Sequence, residues 1–302
     1  MCIFFKPAQW LKSINLKIKI MKTIFYSIII LISIIITSCV QSIPENKQKI
    51  ILQSTDNVSS DLLKQSAEIL SGRLEAFGLK SYDVKIQNDQ KQIQIQIPEN
   101  VDLQEVRELL TSKGELTFYE TFTRKEFSDL VPNSDRLFKL LIIDLKTDPS
   151  GSNLGCVTTD NLDSVNDYIR SNGPDNCKLI WKMKSDKALQ CLYALKINED
   201  GNPLLKGSDV RMIKSSKNEN SQTLIKIQFK DAASDIWANA TKSNLNKSIA
   251  IVIDDKILYD PVVRTAMENG LCEISGDFTS KEVNYFLALV NNDKLPLSLS
   301  IK

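Results

Sequence analysis

Three aspartates in the C-terminal part of the chain have the right type and spacing for chemistry. Asp254 and Asp255 are adjacent, and Asp260 follows shortly after them. Such carboxylates could act as general acid and base, or they could hold a cation. Tight hairpin turns also favour Asp, however, because its side chain hydrogen-bonds to the nearby backbone. We therefore interpret Asp254 and Asp255 as turn residues rather than as a catalytic pair.

A second acidic set could collect a calcium ion: Asp144, Asp148 and Asp160. Its spacing matches no EF-hand loop, so we interpret it as a solvated loop. The chain of 302 residues contains no histidine, which removes the commonest general base near neutral pH. Phosphate-binding, dinucleotide-binding, nucleophile-elbow and CxxC motifs are also missing. The sequence predicts no catalytic residue, no cofactor and no metal.

Charge is distributed unevenly along the chain. Residues 1–38 hold five of the 38 basic residues and no acidic one, which leaves 33 basic against 37 acidic residues in the remainder. A mildly acidic protein without a basic stripe is a poor nucleic-acid binder. Apolar residues make up 42% of the chain, which is enough to fill a core.

An apolar run begins shortly after Met21: Lys22 precedes the stretch Ile24–Ile36. As a helix, this stretch would span about 20 Å, which is shorter than the roughly 30 Å hydrocarbon core of a bilayer. The pattern predicts an export signal peptide rather than a stable membrane span. A buried helix or a single-span anchor is the alternative interpretation. Residues before Met21 are interpreted as upstream of the true start.

The apolar run ends in Ile36-Thr37-Ser38-Cys39, which is similar to a lipobox. In signals of this type, cleavage between Ser38 and Cys39 makes an acylated cysteine the new N-terminus. Two or more acyl chains then anchor the protein to a lipid bilayer. We therefore predict an envelope lipoprotein that faces the periplasm or the exterior, with residues 1–38 removed and 39–48 as a tether.

Export also predicts an oxidising compartment for the remaining cysteines, which allows one or two disulfides. They are Cys156, Cys177, Cys191 and Cys272. We favour a Cys156–Cys177 bridge because both residues flank a short helix-like stretch. Buried free thiols are the alternative.

The hydrophobic periodicity predicts an α+β fold. Residues 49–120 have the order β-α-β-β-α-β, and in one of these strands Ile93, Ile95 and Ile97 alternate with glutamines. This order indicates a split β-α-β, ferredoxin-like arrangement of helices on a sheet. Residues 121–203 lack that regularity and are predicted as an inserted α/β head subdomain, and the regular pattern resumes over 204–302. We expect 49–120 and 204–302 to form one base domain, sharing a sheet or packing together.

Short motifs at both ends of the chain form a family pattern. The C-terminal ones are Asn246-Lys247, Ala250–Asp254, Pro261, Ile274–Thr279 with Gly276 and Phe278, Glu282 three residues after Thr279, and Lys294-Leu295-Pro296. The earlier ones are Ile69–Gly78, Ile93–Leu110 and Leu116-Thr117-Phe118. Together they resemble the first periplasmic domain of SecD, a subunit of the protein-export machinery. The matched residues are expected to be structural: Gly276 at a position closed to side chains, Thr279 and Glu282 in a helix capping box, and Pro261 in a turn.

The resemblance implies contact with unfolded exported polypeptides or with the Sec translocon. Members of that family also have membrane-spanning helices that couple export to proton flow. This chain ends at Lys302 and lacks the family's D-L-x-G-G motif, so we expect a stand-alone, non-catalytic lipoprotein without that motor. The alternative is a structural or adaptor lipoprotein that kept the fold without an export role.

The predicted insert offers one candidate binding surface. Its first part carries seven apolar or aromatic residues at helix-like spacing. They are Phe122, Phe127, Leu130, Leu137, Phe138, Leu140 and Leu141. An exposed groove is one interpretation, and a core of the insert itself is the favoured one.

Overall fold

The computed structural model describes residues 46–302, except 55, 57, 144–147, 149 and 184–188. The predicted signal peptide, Ser38 and Cys39 therefore lie outside the described residues, as does Asp144. Within the described part, no helix is both long enough and apolar enough to cross a bilayer. Residues 48–302 form one compact unit.

Helices and strands alternate along the unit in an α+β order. In chain order, the elements are β1 (Lys47–Ser54), α1 (Ser60–Phe77), β2 (Asp83–Gln87), β3 (Gln92–Pro98), α2 (Leu103–Thr111), β4 (Leu116–Glu120), α3 (Arg124–Leu130), α4 (Asp135–Phe138), β5 (Asn153–Thr158), α5 (Leu162–Asn172), β6 (Cys177–Met183), β7 (Leu189–Lys196), β8 (Leu205–Lys206), β9 (Val210–Lys217), β10 (Thr223–Phe229), α6 (Asp231–Ser243), β11 (Ile249–Ile253), β12 (Lys256–Tyr259), β13 (Leu271–Ser275), α7 (Ser280–Val290) and β14 (Leu299–Ile301).

Local sequence signals account for the helix ends. The Ser59 hydroxyl accepts a hydrogen bond from the amide of Leu62 at the start of α1, and Gly78 ends that helix at a φ of 105°. Residues that carry a side chain rarely adopt such a positive φ, so glycine is the favoured residue at this helix end. Thr279 and Glu282 form the capping box of α7 that the sequence predicts.

The strands form four sheets among the described residues. Sheet A has the order β14-β1-β3-β2, sheet B the order β12-β11-β4-β8, sheet C the order β5-β7-β6 and sheet D the order β13-β10-β9. The α+β class is confirmed, and the two predicted halves of the base share sheets A and B. The ferredoxin-like detail differs from the prediction, because β4 joins β11 in sheet B while β14 takes the place beside β1.

The buried residues form three clusters. The first lies between sheets A, B and D and their helices, with Ile93, Ile95 and Ile97 fully buried. The second lies beneath sheet C and its helices, and the third lies where sheets B and C stack face to face. The first two clusters fall on either side of the predicted boundaries at 120 and 204, while the domain division itself stays a prediction.

The apolar residues of the predicted insert fill that insert's own core. Phe127, Leu137 and Leu141 are buried in the second cluster, and Phe122, Leu130 and Phe138 pack against it. Leu140 is the exception, with 41% of its surface exposed. These side chains therefore do not line a groove.

The predicted Cys156–Cys177 bridge is wrong: Cys156 is bonded to Cys191. The two residues lie opposite each other in the register of β5 and β7, whereas Cys177 lies opposite Lys196 on the other side of β7. Cys177 and Cys272 are buried free thiols. Burial raises the pKa of Cys177 to about 11 and, with the charge of Glu273 adding to it, that of Cys272 to about 12.

We predict that peptide mapping without reductant finds Cys156 linked to Cys191. The linked residues are 35 positions apart, so replacing both with alanine should lower the free energy of unfolding by about 3 to 4 kcal/mol. Chemical denaturation with and without reductant measures this loss. The double variant is its own control, because reductant should not change its midpoint. A map that links Cys177 to either residue would contradict the structure.

Candidate functional site

Several motif residues meet at the loop 112–115, which joins α2 to β4. Arg73 of α1 is completely buried beneath this loop. Its guanidinium donates hydrogen bonds to the carbonyl oxygens of Leu109 at 3.1 Å, Lys113 at 2.9 Å and Ser112. These carbonyls lie at or just beyond the end of α2, where helices leave acceptors unpaired and where a cation is favoured.

Asp254 holds the same loop from the opposite side. It and Asp255 form the β11–β12 turn with φ values of 48° and 63°. The Asp254 carboxylate accepts hydrogen bonds from the amides of Gly114 at 3.1 Å and Glu115 at 2.8 Å. Burial lowers the pKa of Arg73 to about 10, although the negative charge of the nearby Asp254 acts in the opposite direction. Asp254 is thus placed to anchor a loop.

The three C-terminal carboxylates do not converge on one site. Asp255 is 77% exposed and pairs with Lys178 of β6. Asp260 pairs with Lys182 of β6 and accepts a hydrogen bond from the Tyr193 hydroxyl. Burial raises the pKa of Tyr193 far above its usual range, and the charge of Asp260 adds to that shift. Each carboxylate has a different partner.

The other motif residues occupy structural positions. A Cβ at Gly276 would come within 3.0 Å of the Phe278 ring. That ring packs edge-on against Tyr259, with centroids 5.1 Å apart. The Pro261 carbonyl accepts a hydrogen bond from Ile249, and Pro296 lies between two buried leucines.

Of the acidic set considered for calcium, Asp148 and Asp160 are described, and they lie in different surroundings; Asp148 is buried, so its interpretation as a solvated loop residue is wrong. Asp148 is 8% exposed and pairs with Arg124 at 3.1 Å, and it accepts a hydrogen bond from the amide of Asn153. Asp160 lies exposed in a short turn before α5. In the described part of the chain, no group of three or more histidine, cysteine, aspartate or glutamate residues could hold a metal ion.

Glu126 connects α3 with Lys247, which lies two residues before β11, and the sequence motifs did not predict this contact. Its carboxylate pairs with Lys247 at 2.6 Å and lies 3.9 Å from Lys196. Partial burial alone would raise the pKa of Glu126, but the hydrogen bonds from Lys247 and Thr123 and the charge of Lys196 lower it to about 2. The pair Thr123 and Glu126 is a capping box, a signal that could have marked this helix start.

An apolar cleft of about 830 Å³ lies beside the stacked edges of sheets B and C. We call it the β6 cleft. Helices α2 and α7 border it, and its apolar lining includes Leu179, Ile180, Trp181, Ile257, Leu258 and Tyr285. The sequence did not point to it, because its residues come from distant segments.

Two ion pairs link β6 to the β12 segment beside the cleft, and the Lys178–Asp255 pair is the more exposed of the two. Lys178 and Lys182 extend from the face of β6 that stacks on sheet B and meet Asp255 and Asp260. Partial burial would lower the pKa of Lys178, but the hydrogen bond to Asp255 raises it, so this lysine stays charged and paired. The arrangement can bind a ligand through apolar contacts and backbone hydrogen bonds.

Known protein-export subunits are similar to this chain over most of its length. A family model described as the SecDF P1 head subdomain matches residues 186–297. The protein translocase subunit SecD of Rickettsia prowazekii is 26% identical over 260 residues, which cover 85% of this chain and 42% of that protein. SecD of Acidaminococcus fermentans is 29% identical over 102 residues, covering 34% of this chain and 24% of that protein. The chain is similar to a SecD periplasmic domain.

The SecD resemblance predicted from the motifs is thereby confirmed. The chain spans 42% of the length of the first such relatives. A solved SecDF in a super-membrane-facing form covers 84% of this chain and 29% of its own, with 20% identity and a TM-score of 0.48. Another solved SecDF structure covers 84% of this chain and 97% of its own, with 17% identity and a TM-score of 0.44. The family model described as a head subdomain matches residues 186–297, and most of these belong to the segment 204–302 that the sequence assigns to the base domain.

We predict that Asp254→Asn lowers the free energy of unfolding by about 1 to 3 kcal/mol, because one charge-assisted hydrogen bond and the charge facing Arg73 are lost. Asparagine tolerates the positive φ of this turn, so the backbone is not strained. Asp255→Asn is the matched control and should change stability by less than about 0.5 kcal/mol, since its ion pair is exposed. Chemical denaturation measures both. Equal losses in the two variants would contradict the anchoring role of Asp254.

Proposed function

We propose that the chain acts in protein export by binding unfolded polypeptides in the cell envelope, on the periplasmic side. The observation that carries this proposal is its similarity to protein translocase subunits over 85% of its length. The β6 cleft supports it physically, because more of its lining surface is apolar than polar and each of its three lysines has a carboxylate partner. Unfolded polypeptides expose the apolar side chains that such a lining can take.

We further propose that the chain is a binding module rather than an enzyme. In the described residues, Asp254, Asp255 and Asp260 are each engaged by different partners. The whole chain contains no histidine. Its proposed partners are exported polypeptides and the translocon that delivers them, and the proposal includes no cofactor.

The proposal also includes a lipid anchor at Cys39, which rests on the lipobox-like sequence alone. Strand β1 begins at Lys47, eight residues after Cys39. A fully extended tether of this length reaches about 28 Å. Acylation would therefore keep the folded unit close to the bilayer, where exported chains emerge.

Binding of an exported protein in two states tests the proposed function. We expect the purified full chain to bind a secretory protein kept unfolded by reduction and alkylation at least tenfold more tightly than the same protein in its native fold. Fluorescence anisotropy with each form labelled at one site measures both affinities. No binding of the unfolded form, or equal binding of both forms, would reject the proposal.

Mass spectrometry tests the anchor. We expect the protein extracted from membranes to begin with an acylated Cys39, and Cys39→Ser to move the protein from the membrane to the soluble fraction. Cys2→Ser is the matched control, since Cys2 lies upstream of the predicted cleavage site and its loss should change nothing. An unmodified Cys39 inside the mature chain would refute this part of the proposal.

A further inference from the structure

We infer that the β6 cleft takes up an extended polypeptide segment by strand addition to the outer edge of β6. This inference rests on the proposed function and specifies how binding occurs. Strand addition means that the backbone of the bound segment pairs with an unpaired sheet edge, while its side chains occupy the neighbouring apolar surface.

The edge of β6 faces the cleft. Among the described residues, β6 is the last strand of sheet C and pairs with β7 alone. Five consecutive residues of β6, from Lys178 to Lys182, line the cleft. A strand that presented one face would contribute only alternate residues, because successive side chains point to opposite faces. The cleft therefore runs along the edge, where backbone amides and carbonyls point away from β7.

The β6 edge lacks the usual protection. Edge strands are commonly guarded by exposed lysines, prolines or bulges. The lysines of β6 are Lys178 and Lys182, which lie on its inner face and are paired with Asp255 and Asp260. An added strand would bury no free charge there. β6 contains no proline, and its register with β7 is continuous.

The edge strand β9 of sheet D shows the contrast. It carries three exposed basic residues along its eight positions: Arg211, Lys214 and Lys217. The Ile213 carbonyl is also covered by a hydrogen bond from Asn291. Exposed basic residues thus protect the β9 edge, whereas in the described part of the chain no strand pairs with the β6 edge beside the cleft.

The occupant that fits is an extended, uncharged stretch of a non-native polypeptide. Five residues of edge correspond to about 16 Å of strand. Side chains at alternate positions of the segment would face the apolar residues of β12 and α7, including Leu258 and Tyr285. A folded protein has few free backbone groups in this conformation, so the edge itself selects unfolded chains.

Backbone N-methylation tests strand addition directly. The probes are three versions of one nine-residue apolar peptide: unmodified, N-methylated at odd positions and N-methylated at even positions. In a paired strand only alternate amides point towards the neighbour. One methylated series should therefore bind the full chain at least tenfold more weakly, while the other stays within threefold of the unmodified peptide. Equal affinities of the two series, both retained or both lost, would overturn the inference.

Two variants locate the site. Leu258→Glu places a charge in the β6 cleft and should weaken binding of the unmodified peptide at least tenfold. Met212→Glu on β9, which is 43% exposed, is the matched control and should bind like the wild type. Thermal melting monitored by circular dichroism verifies that both variants are folded. If a folded Leu258→Glu binds normally, or if sedimentation shows that the edge is covered by a second copy of the chain, the inference is wrong.

The outcomes separate this inference from the proposed function. If unfolded secretory protein does not bind at all, the proposed function fails and strand addition fails with it. If that protein binds but methylation at odd and even positions has the same effect, only strand addition is rejected.

Discussion

A buried arginine under one loop fixes how the layers of this molecule meet. Arg73 is fully enclosed, and an enclosed cation is tolerated only when it is hydrogen-bonded and its charge is balanced. Three carbonyls around the end of α2 accept hydrogen bonds from it, and the charge of Asp254 favours its charged form, although Nε has no hydrogen-bond partner among the described residues. The arginine comes from α1 against sheet A, and the carboxylate comes from the β11–β12 turn of sheet B. A shift of either layer would move the carbonyl acceptors or the Asp254 carboxylate away from this buried cation.

The geometry of the β6 cleft depends on that junction. Asp254 fixes the β11–β12 turn, and the next residue, Asp255, receives Lys178 of β6. Asp260 beyond β12 receives Lys182 and Tyr193. Sheet C rests on sheet B mainly through the third apolar cluster, and the hairpin whose turn Asp254 anchors carries the carboxylates that contact β6. The segment with Asp254, Asp255 and Asp260, whose carboxylates could have suggested catalysis, therefore forms part of the cleft wall and its contacts with β6.

Features set by neighbouring residues could be predicted from the sequence. The alternation around Ile95, the capping box of Thr279 and Glu282, and the turn at Asp254 all depend on contacts within a few positions. The sheet of β4 and the partner of Cys156 could not, because strand periodicity does not specify which edge a strand joins. The burial of Arg73 could not be predicted either, because its hydrogen-bond acceptors lie 36 to 40 residues away along the chain.

A rigid β6 edge would favour the binding of flexible chains. An unfolded segment loses conformational entropy when it is ordered, so the receiving surface should lose as little as possible. The disulfide joins β5 to β7, the β7 ladder supports β6 along its full length, and the partly buried Lys182–Asp260 pair connects β6 to the residue after β12. The edge is thus held in the extended form before a ligand arrives. Because backbone groups are the same in every polypeptide, an edge held in this way can accept many sequences, with the apolar wall selecting only for hydrophobicity.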